Sequence, residues 1–364
     1  MLRKSSLFAL LLICLLLPGV ALAQTGISVD CGDGVVFDNG VEVIVREMRS
    51  GFDYRATAIG INGFNPVLAV IDEAENFACS DDSGAVEYAA ELPTTGGAVG
   101  GSAQTAQLTF SQITGQPLAN VSMIVGGYGG AGGEFLLVIE GMGVTAADNA
   151  GDPFIVNVTP GMVASGVPLT AYMLSRGGSL DPLMYISDLE YNVLTDGDGN
   201  EIFCDDSGNS SVCWGTAVSL DGYWVNVEAG TLPSAGYEPL IVLGLDGMQI
   251  DAPGQLLLQY MMTSYQQQTQ GQYVLIFHAG TTGSGGGSRP GPGGGGQGGG
   301  PPGRPGLGGG GGGADEGEGS GGGQGGGPPA RPGLGGRGDS VDPTPTPRGD
   351  SAGGFGAGVI KGGN

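Results

Sequence analysis

Between Gln24 and Gly280 the sequence contains no lysine, and its only basic residues are Arg46, Arg49, Arg55 and Arg176. Thirty Asp and Glu stand in the same segment, which gives it a formal charge of −26. Such a surface repels the phosphate backbone of nucleic acid and an anionic membrane face, so no nucleic-acid partner is expected. It attracts divalent cations and basic partners, and it keeps an exported protein soluble. Histidine occurs once, as His278, and no C-x-x-C is present, which leaves no ordinary ligand set for zinc. The same segment lacks a G-x-S-x-G elbow, so nothing marks a serine nucleophile. No stretch sustains a capped helical period. Beyond residues 7–17 no run is apolar and long enough to cross a bilayer, so no transmembrane segment is expected in the mature chain.

What is present begins with an export signal. Arg3 and Lys4 precede the apolar run Leu7 to Leu17, and Ala21-Leu22-Ala23 is a small-x-small cleavage site. Residues 1–23 therefore read as a signal peptide, with Gln24 the first mature residue and the protein secreted or held at the cell surface. Cleavage leaves Cys31, Cys79, Cys204 and Cys213. An even count in an oxidising compartment favours disulfides. Three connectivities are open; Cys31–Cys79 with Cys204–Cys213 is preferred, because it keeps each bridge within one half of the chain. Composition changes after Gly280. Residues 281–364 form a low-complexity Gly/Pro-rich tail, with "QGGGPPGRPGLGG" from Gln297 nearly repeated from Gln324. Such a segment cannot bury enough apolar surface to offset its ordering entropy, so disorder is expected there. RGD tripeptides at Arg337 and Arg348 fit chance in such a composition.

The remainder reads as all-β. "VEVIVREM" (Val41 to Met48), "EFLLVIE" (Glu134 to Glu140), "FIVNV" (Phe154 to Val158), "PLTAYML" (Pro168 to Leu174) and "YVLIFH" (Tyr273 to His278) are short and rich in β-branched and aromatic residues. The chain also repeats itself. "YRATAIG", "FNPVLAVID", "CSDDSG" and "GEFLLVIEG" are followed, in the same order, by "PLTAYML", "LDPLMYISD", "CDDSG" and "GQYVLIFHAG". Two homologous β-sandwich lobes are expected, residues 24–142 and 143–280, each of ordinary domain size.

This order resembles the bacterial pre-peptidase C-terminal domain, a jelly-roll-like β-sandwich of secreted proteins. The resemblance rests on Asp181-Pro182, Asp205-Asp206 and Gly271-Gln272-Tyr273 in the second lobe. In the first it rests on Asn65-Pro66, Asp81-Asp82 and Gly133-Glu134-Phe135. Asn65 and Phe135 depart from the family's Asp and Tyr. The resemblance implies two tandem jelly-roll-like sandwiches with a non-catalytic role beside secreted hydrolases or surface proteins. It also implies binding to matrix polymers or calcium in some relatives.

Four sets of residues are candidates for chemistry. Asp82-Ser83-Gly84 and Asp206-Ser207-Gly208 invite comparison with aspartic proteases, which need both carboxylates on one water. Each triplet follows another Asp and a Cys, which marks an exposed turn. "DGDGNEIFCDD" sets Asp196, Asp198 and Asn200 at alternate positions ahead of Asp205 and Asp206, hard oxygen donors suited to calcium. It lacks the sixth-position Gly and twelfth-position Glu of an EF-hand, and a solvated hairpin turn is its structural alternative. Trp214 lies beside a cysteine, and Tyr223-Trp224 must point to opposite faces of a strand. One of that pair is free to meet a sugar ring or peptide. His278, at a strand end, reads as an ordinary side chain. Asn120, Asn157 and Asn209 stand in N-x-S/T sequons, which matter only in a glycosylating host. The expectation is a secreted, non-catalytic binding or adhesion protein of the cell exterior. It needs no cofactor, has calcium as an optional stabiliser, and takes an extracellular polymer or protein as partner. The alternatives are a carboxylate-dependent hydrolase, aspartic-protease-like or glycosidase, and a structural envelope or matrix protein.

Overall fold

The two longest apolar strands of the sequence lie side by side, buried on both faces. In the computed structural model, residues 27–283 are described apart from 33–34, 50–52, 74, 112–117, 145–150, 178, 216–217, 247, 249 and 251–255. The expected signal peptide and the Gly/Pro-rich tail, with its RGD tripeptides, lie outside the described residues. The first half holds β1 (Ile27–Asp30), β2 (Val36–Arg49), β3 (Asp53–Ile61), β4 (Pro66–Asp72), β5 (Phe77–Ser80), β6 (Ala89–Leu92), β7 (Gly97–Gly100), β8 (Ala106–Ser111), β9 (Leu118–Gly127) and β10 (Gly133–Val144). The second half holds β11 (Asp152–Val158), β12 (Leu169–Arg176), β13 (Pro182–Ser187), β14 (Phe203–Cys204), β15 (Trp224–Val227), β16 (Gly230–Pro233), β17 (Leu240–Leu243), β18 (Leu256–Ser264) and β19 (Gly271–Thr281). One short helix, α1 (Pro160–Ser165), follows β11. Its Thr159 cap accepts from the Met162 amide, and Gly166 closes it in the left-handed region.

The strands form three antiparallel layers. The first runs β14-β13-β18-β11-β2-β9-β4-β5, with β1 added beside β2. The second runs β17-β12-β19-β10-β3-β8, and the third β16-β15-β6-β7. The main core lies between the first two layers and includes Val43, Met123, Leu137, Phe154, Tyr260 and Phe277. A second core joins the middle layer to the third through Tyr88, Ala90, Val138, Tyr172, Val225 and Ile276. β10 and β19 therefore face apolar neighbours on both sides. This is why they read as continuous hydrophobic runs instead of alternating ones. Tyr260 meets Phe277 edge to face, with ring centroids 5.5 Å apart, and each such ring contributes roughly 2–3 kcal/mol by its burial.

Every layer is a palindrome of the two halves. Strands β2 to β10 match β11 to β19 one for one, and each sheet is crossed at its centre by a pair of matching strands. The register supports the same statement. Val138 faces Ile276 between β10 and β19, and Ala90 faces Val225 between β6 and β15. Ile44 faces Ile155 between β2 and β11. Turns repeat as well. The Tyr128 amide donates to Asn65 O, and the Tyr265 amide to Asp181 O, each at 2.9 Å. Gly129 and Gln266 both follow with positive φ. The fold is thus all-β sandwich, as expected. The two lobes are joined edge to edge through all three layers, and both halves fall in the same unit. No helix among the described residues is long and apolar enough to cross a membrane.

Irregular points are placed by backbone need. The register of β10 shifts between Ile139 and Met142. There Gly141 takes φ 92°, and a Cβ would stand 2.3 Å from Asp53 O, so only glycine fits the bulge.

Candidate functional site

Both disulfides form as expected, Cys31–Cys79 and Cys204–Cys213. Their relation to the repeated phrase is not the one its spelling suggests. In the β4–β5 pair Leu68 faces Ser80, and in the β13–β14 pair Met184 faces Cys204. Counting from Pro66 and Pro182, Ser80 occupies the position of Cys204, and Cys79 that of Phe203. The Gln107 amide donates to Ser80 Oγ where the Leu240 amide donates to Cys204 Sγ. A shift of one residue along a strand reverses the face. Cys79 accordingly joins the outer cluster beneath β1, beside Val29 and Phe37, whereas Cys204 lies in the main core. The Asp-Asp-Ser-Gly portion does match. The Ser83 amide donates to Thr105 O and the Ser207 amide to Glu238 O, and Gly84 and Gly208 both have positive φ.

These two turns follow β5 and β14, the outermost strands of the first layer. Seven inter-strand steps separate them, on the order of 30 Å at the usual spacing. Asp82 and Asp206 therefore do not share a water, and the paired-carboxylate arrangement of an aspartic protease is not formed. His278 is buried in β19 with Nε2 2.7 Å from Glu134 Oε1. Burial lowers its pKa, against the raising influence of Glu134.

The residues expected to hold a cation divide into two groups. Asp196 is the acceptor at the centre of a hairpin turn. It takes the amides of Asp198 and Asn200, each at 2.9 Å, the Asn200 Nδ2 at 3.1 Å, and Trp214 Nε1 at 2.9 Å. These donors, Trp214 first, hold its carboxyl down at about 2. Asp72 and Asn76 make the same turn, as do Asp188 and Asn192. The D-x-x-x-N spacing is therefore a hairpin device used three times among the described residues, and Asn200 turns its donor toward Asp196. Trp214 packs against the main core. Tyr223 joins the second core, and Trp224, one residue on, sits half-buried on the opposite face of β15, as strand alternation requires.

Asp205 and Asp206 converge instead with Asp181, which stands just before β13. Ligand oxygens of Asp181, Asp205 and Asp206 all lie within 4.8 Å of one another. Asp181 is fixed by its own backbone: its amide donates to Thr269 Oγ1 at 2.9 Å, and its carbonyl accepts the Tyr265 amide. The Asp205 amide donates to Val212 O, which ties the turn to the residue just before Cys213, within the loop that the disulfide closes. Gly208 is required next to it, because at φ 83° a Cβ would stand 2.7 Å from Ser219 Cβ. Asp205 is only 7% exposed, and its Oδ1 has no hydrogen-bond partner. Burial, then the charges of Asp206 and Asp181, push its pKa up to about 7. Asp181 and Asp206 are raised as well, each mainly by burial. Beside the three carboxylates opens a cavity of about 320 Å³ lined by Ser179, Leu180, Asp181, Asp206, Tyr237 and Thr269.

A neighbouring acid shows what a satisfied carboxylate looks like here. Glu238 is fully buried, and it accepts from the Ala235 amide at 2.8 Å, the Gly236 amide at 2.9 Å and the Ser234 hydroxyl at 2.5 Å. Asp205, a short way off, has like charges where Glu238 has donors. The signal that could have found Asp181 was its repetition: Asn65-Pro66 precedes Asp81-Asp82 as Asp181-Pro182 precedes Asp205-Asp206.

Comparison of the chain with known protein families and with curated proteins finds no match, so the resemblance to the pre-peptidase C-terminal domain stands on its own residues.

Proposed function

We propose that this protein works outside the cell as a non-catalytic binding or adhesion protein, taking an extracellular polymer or protein as its partner. One observation carries the reading. The turn that the sequence writes twice stands at the two far ends of a single three-layered slab. A site that does chemistry brings its reacting groups together. A slab with matching ends about 30 Å apart presents surfaces instead. The leader-like start and the two disulfides support export to an oxidising compartment. The rigid layers would hold the loops, and the Gly/Pro-rich tail would serve as a spacer.

The test uses the full-length chain with its disulfides oxidised. It is passed over immobilised cell-wall fractions, polysaccharides and matrix proteins, and retention is measured beside hydrolysis of the same materials. Retention without turnover, weakened by Trp224→Ala, is the expected result. Turnover of any of these materials would establish the hydrolase alternative. Concentration-dependent self-association without retention would establish a structural role.

A further inference from the structure

We propose that Asp181, Asp205 and Asp206 form a binding site for one divalent cation, calcium by its donor set, independently of which partner the protein takes. Three observations on different levels meet here. The first is geometry: three carboxylate oxygens lie within 4.8 Å of one another. Calcium sits 2.3–2.6 Å from its oxygen ligands, so oxygens on opposite sides of the ion are separated by about 5 Å or less.

The second is an unmet need. Asp205 is more than nine-tenths buried, and its Oδ1 lacks any hydrogen-bond donor. A buried carboxylate without a donor or counter-charge is among the costliest groups a fold can hold. The groups acting on it are two further carboxylates, which worsen the cost unless a cation sits among them. Glu238, equally buried and fully supplied with donors, shows that this region of the chain can satisfy an acid when no ion is called for.

The third is access and remaining ligands. The cavity beside the cluster reaches Asp181 and Asp206, and Ser179, Tyr237 and Thr269 also line it. It has room for the waters that complete a coordination number of six to eight. The formal charge of the folded region, with four arginines against thirty acids, adds a general attraction for cations.

The site has a structural consequence. It would tie the opening of β13 to the turn after β14, and through the Asp205 amide to Val212 beside Cys213. The first half carries a counterpart. Asn65 Oδ1 and Asp81 Oδ1 also lack partners, but Asn65 replaces the Asp, which removes one negative charge. The second-half site is therefore the tight one.

The experiment takes the full-length, disulfide-oxidised chain stripped with chelator and titrates calcium chloride by isothermal calorimetry and by thermal melting. Calcium should raise the melting temperature by roughly 5 °C or more at saturation. Asp205→Asn and Asp181→Asn should each weaken the tight binding at least tenfold. Asp205→Asn should at the same time melt no lower than wild type without calcium, since it removes an unpartnered charge, and this separates lost binding from lost folding. Asp196→Asn should keep the calcium response. The assignment is overturned if calcium, magnesium and manganese all leave the melting temperature unchanged. It is equally overturned if Asp205→Asn responds like wild type, or if Asp196→Asn alone abolishes the response.

Discussion

The edge-to-edge union of the halves makes a thermodynamic prediction. Independent lobes of about 120 residues would melt as two units, each with its own enthalpy. Here β10 and β19 exchange ten registered residue pairs across the boundary, and β2–β11 and β6–β15 cross it in the other two layers. Separation would strip one side from Leu136, Val138 and Ile276, which are completely buried. It would also break the bonds from Tyr172 Oη to Glu91 O and from Arg46 Nη1 to Gln259 Oε1, at 2.7 and 2.6 Å. Neither half can lose that surface and keep a core. The about 255 residues from Ile27 to Thr281 should therefore unfold together, with an enthalpy of about 180 kcal/mol near 60 °C at about 0.7 kcal/mol per residue. Differential scanning calorimetry reads both quantities: the area gives the total enthalpy, and the width gives the van't Hoff enthalpy of the cooperative unit. Equality of the two is the expected result. A van't Hoff value near 90 kcal/mol, or two resolved peaks, would refute the argument that the sheets couple the halves.

Other outcomes follow from single contacts. Replacing Cys31 and Cys79 by serine opens a loop of 48 residues. Chain entropy puts the loss at about 4 kcal/mol, to be read from the urea midpoint; a loss under about 1 kcal/mol would count against it. With chelator present, stability should fall as pH rises from about 4 to about 7. Asp205 has a folded pKa raised to about 7, so across that window the folded state keeps a proton the unfolded state has lost. Asp205→Asn should flatten this slope, and an unchanged slope would assign it to other groups. Trp214→Phe removes the Nε1 bond to Asp196, and carbon-detected NMR titration should find the Asp196 carboxyl moved up from about 2. Gly141→Ala should cost more than about 2 kcal/mol, since the new methyl meets the Asp53 carbonyl at a positive φ; melting within a degree of wild type would contradict the bulge.

How much of this could be read from the sequence depends on the layer. β10, β19, β11 and β12 are legible because burial on two faces writes unbroken apolar runs. The third layer is not. β6 and β7 are spelled "AAEL" and "GAVG"; β6 buries only Ala90 and Leu92, β7 is mostly exposed, and neither carries a strand signature. The repetition of motifs was legible, but its geometry was not. Nothing in "CSDDSG" and "CDDSG" says that the cysteines point to opposite faces, because spelling alone cannot give register. The acid cluster was half legible. Asp205 and Asp206 stand near Asp196 and Asp198 in sequence, but the Asp196 carboxylate is committed to its own hairpin turn and to Trp214. Asp181 is distant in sequence, and only the pairing of β13 with both β14 and β18 sets it beside them.

The differences between matching ends point to where the chain has specialised. From Asp72 to Ala89 the first half makes a short link between layers. The second half covers the same step from Ser187 to Trp224 with one added hairpin turn, at Asp196–Asn200, a core disulfide and Trp214. This added segment encloses the Asp205 side of the cluster, and Asp181 supplies the charge that Asn65 lacks. A packing role alone would ask the same of both ends, since the layers beneath them are palindromic. A fold that buries an unpartnered carboxylate among its like at one end, and replaces one of the three acids at the other, has put a chemical requirement at one end of an otherwise symmetric slab. A cation meets that requirement with the residues already in place.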